Sequence, residues 1–292
     1  MNIIIFGATG WLGKNTIDFF KTKFKNQCNL TLVSSKIYNI EYKNEKFTTL
    51  NTEQFKKIKN HQFDYYFDFA FLTGNFVNNL KQEVYIARTN ELINSSNNFL
   101  NKNDVDKALL ASSGAVYWNG TLNQNVYSLQ KSYQEEKFIE TSKKNNVKYS
   151  VARIFALFAN YYNVNFKYAF SDFIIQAKKS NKIVINSKLK VIRSYLFVNF
   201  LLEYFLKSDD EIYDAWNLNL DIYEIANCVS KYFDNCYVEV DDFYLKNEAK
   251  NEYISLDYTF QKKIPNFNYE EEINKIIDFT ENDINQIKFN TL

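Results

Sequence analysis

The chain has 292 residues, 46% hydrophobic and 24% charged, which excludes a largely disordered protein and allows one large or two modest domains. Its 35 basic and 34 acidic residues leave a formal charge of +1, so no bulk field directs it to nucleic acid or an anionic membrane. The cysteines Cys28, Cys228 and Cys236 are odd in number and form no CxxC pair, and His61 stands alone, so neither a disulfide framework nor a metal site is expected.

The opening Met1-Asn2-Ile3-Ile4-Ile5-Phe6 lacks the basic start of a signal peptide, and the apolar stretch Val191 to Leu206 is interrupted by Arg193, Ser194 and Asn199. A cytoplasmic, reduced, soluble protein is expected. In chain order, Asn2–Phe6 reads as a buried strand, Trp11–Lys25 as a helix and Asn29–Ser34 as a second strand. A weaker strand at Phe47–Leu50 precedes a helix over Thr52–Lys59 and a strand at Tyr65–Phe71. A helix over Val84–Leu100, a strand at Lys107–Ser112, a helix over Tyr127–Lys144 and a strand at Tyr149–Phe155 follow. This alternation predicts an α/β fold with a Rossmann-like, doubly wound parallel sheet.

Beyond Phe158 the pattern loosens. Helices are expected at Phe170–Ala177, Val198–Leu206, Ile222–Tyr232 and once within Glu270–Leu292, with short strands at Ile183–Ile185 and Lys190–Tyr195. The expected organisation is a dinucleotide-binding domain over 1–158 and a smaller C-terminal substrate-binding lobe over 159–292. A segment near 190–206 is expected to return to the first domain.

Glycine is scarce, yet three of the six glycines fall at Gly7, Gly10 and Gly13, between the first strand and the first helix. Such a turn brings backbone N–H groups and a helix N-terminus against a pyrophosphate, where side chains would block the approach. The second strand ends in Ser34-Ser35-Lys36, without the carboxylate that suits the ribose hydroxyls of NAD. Hydroxyls and an ammonium suit the 2′-phosphate of NADP better, so NADP is favoured over NAD.

The strand end Leu109-Leu110-Ala111-Ser112-Ser113 is followed by Tyr127-Ser128-Leu129-Gln130-Lys131. The YxxxK spacing also occurs at Tyr42/Lys46, Tyr133/Lys137 and Tyr258/Lys262, but only Tyr127/Lys131 opens the helix directly after the serine pair. Residues four apart share a helix face, and an ammonium beside a phenol lowers its pKa toward the range of acid–base work. The Ser113 hydroxyl can hold the same substrate oxygen.

These segments resemble the extended short-chain dehydrogenase/reductases, within their NAD(P)-dependent nucleotide-sugar epimerase/dehydratase/reductase group. The resemblance runs through GATGWLG at 7–13, FDYYFDFAFLTG at 63–74, Asn90 in TNELINSS, SSGAVY at 112–117, YSLQK at 127–131, ARIF at 152–155 and IRSYLFVNFLLEYFL at 192–206. It implies catalysis by Ser113, Tyr127 and Lys131. Gly7, Thr9, Gly10, Trp11, Leu12 and Gly13 would cradle the cofactor, with Ser34, Ser35, Lys36, Leu50, Ala70, Phe71, Tyr127 and Lys131 completing its site. Thr73, Ser113 and Arg193 would bind substrate, with Arg193 on the diphosphate, for which a guanidinium fork is apt. Ala156, Trp118 and Asn199 depart from the family pattern.

The expected activity is an NADPH-dependent reductase of a 4-keto nucleotide-activated sugar in surface-polysaccharide synthesis. The alternative is an NAD-dependent 4-epimerase, and a third reading is a dinucleotide-binding protein without turnover. No Asp-Glu pair follows Ser113, which disfavours a dehydratase. Val84, Ile86, Leu92, Ile93, Phe138 and Ile139 on the two helices around the catalytic strand predict a homodimer through those helices.

Overall fold

The structure, a computed structural model, describes residues 1–42, 45–77, 79–161, 168–246, 249–282 and 287–291. Its first elements are β1 (Asn2–Phe6), α1 (Trp11–Phe24), β2 (Asn29–Val33), β3 (Tyr38–Tyr42), β4 (Glu45–Thr48), α2 (Thr52–Phe55) and β5 (Gln62–Asp68). Then come α3 (Gln82–Lys102), β6 (Asp104–Ser113), α4 (Val126–Lys144), β7 (Lys148–Ile154), β8 (Ala156–Phe158), α5 (Ala169–Ser180), β9 (Lys182–Ile185), β10 (Lys190–Phe197) and α6 (Val198–Lys207). The chain closes with β11 (Ile212–Ala215), β12 (Leu218–Asp221), α7 (Ile222–Tyr232), β13 (Tyr237–Val240), α8 (Asp242–Lys246), β14 (Lys250–Tyr253), α9 (Tyr269–Asn282) and β15 (Ile287–Thr291).

Two compact units divide these elements. The first comprises Met1–Ile154, Leu202–Asp214 and the C-terminal strand. It holds a six-stranded sheet in the order β11-β7-β6-β5-β1-β2, in which β1 pairs in parallel with β2 and β5, and β6 with β5 and β7. This is the Rossmann-like doubly wound α/β fold. The run Ile3-Ile4-Ile5 is fully buried and Phe6 nearly so, as a central parallel strand with both faces covered requires. One core cluster packs Phe6 on Phe55 at 4.5 Å and Phe55 on Phe99 at 4.9 Å between ring centroids. Each such ring contributes about 1.5–3 kcal/mol by leaving water.

From β1 the chain first moves outward to β2, then crosses back to β5 and onward to β6. The order therefore reverses between β1 and β5, where parallel α/β sheets open their ligand crevice. Phe6 and Asp68, the last residues of the two strands, pair there in register.

The second unit comprises Phe155–Leu201 and the chain from Ala215 to the end of α9. Its sheet runs β12-β10-β14, with β8 also paired to β10, and β13 pairs with β9. Phe158 stacks on Tyr195 with centroids 4.4 Å apart, and α7 begins on an Asp221–Glu224 capping box.

Several expected elements differ. The strand expected at Phe47–Leu50 does not extend the parallel sheet, because only Leu50 bridges Val33. Glu45–Thr48 instead pairs antiparallel with Tyr38–Tyr42, which in turn pairs antiparallel with the C-terminal β15. Tyr38–Tyr42 alternates in burial, with Ile40 and Tyr42 inward, the period-two pattern of a strand covered on one face. The helix expected over Thr52–Lys59 stops at Phe55, and Asn60 adopts a left-handed φ of 59° before β5.

Candidate active site

The glycine turn joins β1 to α1 at the point where the sheet order reverses. Gly7 has φ +91°, and a Cβ there would lie 2.8 Å from the Phe69 carbonyl carbon and 2.9 Å from the Ala70 nitrogen. A Cβ on Gly13 would lie 2.4 Å from the Gly7 oxygen. These two positions exclude any side chain, whereas Gly10 meets only the Gly7 oxygen, at 3.2 Å. Gly10 opens α1 without a side-chain cap, and the first turn carries no acidic residue. The resulting backbone cradle fits a dinucleotide pyrophosphate, since its N–H groups and the helix dipole favour an anion. Thr9, Trp11 and Leu12 lie partly exposed around it, and Ala70 and Phe71 continue past the end of β5.

At the end of β2 the three residues assigned to the 2′-phosphate part company. Ser34 is buried, its hydroxyl 2.5 Å from the Lys36 carbonyl and 2.9 Å from the Thr49 hydroxyl. Thr49 in turn donates to the same carbonyl at 3.1 Å and accepts from the Tyr38 N–H at 2.9 Å. The Ser34 hydroxyl thus shapes the turn, while Ser35 and Lys36 are exposed on it. Leu50 is partly buried against the core cluster and donates its N–H to Leu32.

Two of the three catalytic candidates, Tyr127 and Lys131, meet around one aromatic ring. An Asn125–Ser128 capping box starts α4 at Val126 and so sets Tyr127 in its first turn. The Tyr127 ring meets Phe71 edge-on, with centroids 5.9 Å apart. One turn on, the Lys131 ammonium lies 3.9 Å from the centroid of the same Phe71 ring. It donates to the Ala111 carbonyl at 2.9 Å and to Gln134 Oε1 at 3.0 Å. Lys131 is only 5% exposed, and burial pushes its ammonium down to about 8 against the opposing pull of Asp68 and Glu135.

Ser113 ends β6 two residues beyond Ala111. It is buried, and its hydroxyl accepts from the Ala115 N–H at 3.2 Å. The competing YxxxK pairs have other employment. Tyr42 binds Asp18 at 2.5 Å, Lys137 is paired with Glu140 at 2.9 Å on the solvent side of α4, and Tyr258 packs on Trp216.

Besides Ser113, Thr73 and Arg193 are expected to contact substrate. Thr73 is exposed at the start of a short 3-10 turn. Arg193, in the second unit, donates to the Asn251 carbonyl at 2.6 Å, to Asn251 Oδ1 at 3.0 Å and to the Ile192 carbonyl at 2.8 Å. These bonds tie β10 to β14 and occupy part of its donor fork.

Two arrangements escaped sequence reasoning. Glu135, one further turn along α4, accepts the Ser112 hydroxyl at 2.5 Å and Arg153 at 3.0 and 2.7 Å. Arg153 also donates to the Tyr117 hydroxyl at 3.0 Å, which itself donates to buried Asp214 at 2.8 Å. The four-residue spacing of Lys131 and Glu135 is the one local signal of this network. Asp68 is the second: its carboxylate is 1% exposed and accepts the Ser96 hydroxyl at 2.5 Å. Nothing in FDYYFDFAFLTG distinguishes it from a surface aspartate.

Among the described residues no group of three or more His, Cys, Asp or Glu is placed to hold a metal ion. Among them, too, no helix is long and apolar enough to cross a membrane.

A doubly wound parallel sheet with a glycine turn at its switch point and a Ser-Tyr-Lys set on β6 and α4 defines an enzyme of the extended short-chain dehydrogenase/reductase type. The chain belongs to the NAD dependent epimerase/dehydratase family, whose model matches residues 3–208. No curated protein matches the sequence. Its fold is similar to UDP-glucose 4-epimerase from Thermotoga maritima, solved with UDP-glucose (TM-score 0.70, 15% identity, 96% of this chain and 99% of that one). It is similar to UDP-N-acetylglucosamine 4-epimerase from Methanobrevibacter ruminantium (TM-score 0.70, 16% identity, 96% and 98%). It is also similar to dTDP-glucose 4,6-dehydratase from Bacillus anthracis, solved with NAD (TM-score 0.68, 12% identity, 98% and 98%).

Proposed function

We propose that this protein is an NADPH-dependent reductase of a 4-keto nucleotide-activated sugar, working in the cytoplasm in surface-polysaccharide synthesis. The reading rests on the shared contact of Tyr127 and Lys131 with Phe71, next to the strand end that carries Ser113. The nicotinamide, when bound, supplies the hydride. Tyr127 delivers a proton to the forming C4 alkoxide, and Ser113 donates a hydrogen bond to the same oxygen. Lys131 supplies the positive charge that favours the phenolate left behind, held in place by Ala111 and Gln134. The cofactor is held by the Gly7–Gly13 turn, and Ser35 and Lys36 take the 2′-phosphate. Arg193 is assigned to the substrate diphosphate through the donors that Asn251 leaves over.

The second reading, an NAD-dependent 4-epimerase, is supported by the 4-epimerases found among the similar structures. Purification decides between them: stoichiometric NAD that survives gel filtration points to the epimerase, exchangeable NADPH to the reductase. The direct assay incubates the protein with a panel of 4-keto nucleotide sugars and follows NADPH absorbance. No consumption with any of them, together with retained NAD, overturns the reductase. The protein is proposed to act as a homodimer through α3 and α4.

A further inference from the structure

We propose that Asp68 is a positioning residue for Lys131, the buried counter-ion that keeps the Lys131 side chain charged and drawn onto the Ala111 carbonyl and the Phe71 ring. The proposal rests on the reading of Lys131 as the partner of Tyr127 and adds a residue on a different element.

The geometry begins with the sheet. Asp68 ends β5 and pairs in register with Leu110 of β6, the residue before the carbonyl that receives the Lys131 ammonium. Three residues on from Asp68, Phe71 covers the same ammonium at 3.9 Å. Lys131 is thus held by groups one residue from Asp68's strand partner and three residues from Asp68 itself.

The surroundings of Asp68 suit a carboxylate rather than a neutral acid. The Tyr66 hydroxyl, on the same strand, donates to Ser96 Oγ at 2.8 Å, and Ser96, on α3, donates to Asp68 Oδ2 at 2.5 Å. Both hydroxyls of this buried chain point their protons toward the carboxylate. The other oxygen, Oδ1, is buried and has no hydrogen-bond partner among the described residues. A buried carboxylate with one bare oxygen is costly unless a cation offsets its charge.

Among the groups that favour the charged form of Asp68, the Ser96 hydroxyl acts most, followed by the Lys131 charge and the Ala70 amide. In the other direction, the acidic groups acting on Lys131 are Asp68 and Glu135. Glu135 is already matched by Arg153 in a two-point ion pair and by the Ser112 hydroxyl. Gln134, Ala111 and Phe71 contribute dipoles and a π face but no net charge. Asp68 is therefore the carboxylate whose charge is not already cancelled by another cation. Burial opposes both charges, pushing Asp68 up to about 6 and Lys131 down to about 8, and leaves a window around neutral pH in which both are ionised.

The test is reciprocal and needs no substrate. Protein carrying ¹³C-labelled lysine and aspartate is titrated by NMR, with Lys131→Met and Asp68→Asn assigning the two resonances. In Asp68→Asn the Lys131 titration should move to lower pH by on the order of one unit or more, the scale of losing a close opposite charge. In Lys131→Met the Asp68 titration should move up by a comparable amount, since the coupling is mutual. If Asp68→Asn fails to fold, the Lys131→Met arm still decides. A merely structural Asp68 lowers stability without moving the Lys131 midpoint. Unmoved midpoints in either folded variant overturn the proposal. Shifts in a protein inactive on every nucleotide sugar would keep this pairing and overturn only the functional reading.

Discussion

Glu135 and Arg153 form a two-point ion pair, Nε to Oε1 at 3.0 Å and a terminal guanidinium nitrogen to Oε2 at 2.7 Å, with side chains 8% and 21% exposed. The pair joins α4 to β7, and its carboxylate also receives Ser112, the neighbour of Ser113. One side chain thus links the helix that carries Tyr127 to the strand that carries Ser113. Arg153→Met leaves a nearly buried carboxylate without its cation. It should cost about 3–5 kcal/mol in urea unfolding, and the double change with Glu135→Gln should cost less than this single one. A variant within about 0.5 kcal/mol of wild type would show that the pair is solvated and adds little.

Tyr127→Phe should fold and bind cofactor normally but lose about a hundredfold or more in turnover, the scale of a general acid. Tyr133→Phe should keep its activity, because Lys137 is spent on surface carboxylates. The reverse ranking in steady-state assays would put the chemistry on the wrong tyrosine.

The glycine turn makes an asymmetric prediction. Gly13→Ala meets backbone at 2.4 Å and should lower stability by about 1–3 kcal/mol while weakening cofactor binding. Gly10→Ala meets a single oxygen at 3.2 Å and should cost clearly less of both. Equal losses in thermal melts and cofactor titrations would contradict the cradle geometry.

Lys131 predicts a pH effect of definite sign. Its ammonium is lowered from 10.5 to about 8 by burial, so between those values the unfolded chain binds a proton that the folded protein does not. Stability must then rise with pH across that window, by at most about 1.4 kcal/mol per unit from this group. It is lost as pH falls through about 8. Relative to Lys131→Met, wild type should gain stability from pH 8 toward 10, measured by urea midpoints. A flat difference between the two would mean that Lys131 is better solvated than its 5% exposure implies.

A homodimer is expected through α3 and α4. Ile93 and Phe138 are each 1% exposed within the subunit, and Leu92 and Ile139 pack against the core cluster. Val84 at 39% and Leu129 at 46% remain as exposed apolar side chains on α3 and α4. A homodimer should sediment near twice 34.7 kDa at micromolar concentration. A species at the single-chain mass overturns it.

What depends on neighbouring residues was legible in the chain. The alternation of apolar strands and helices marked the doubly wound sheet, since burial on both faces leaves runs such as Ile3-Ile4-Ile5. The glycine turn was equally plain, because its steric demand falls on Gly7, Gly10 and Gly13 within one turn of chain. The expectation of Tyr127/Lys131 over the other YxxxK pairs rested only on its place after Ser112-Ser113. What depends on distant partners emerged only in the folded chain. Lys131 and Lys137 lie six positions apart on one helix and face different sides of it, so one is buried and the other solvated. Ser34, chosen for its hydroxyl, had that hydroxyl taken by Lys36 and Thr49. Tyr38–Tyr42 became the middle strand of a sheet completed by the far end of the chain, and Arg153 found Glu135 across 18 residues. Asp68 became a candidate counter-ion only because β5, β6, α3 and α4 converge around it. Such partners are set by packing between elements, and no local periodicity records which charges that packing will bury together.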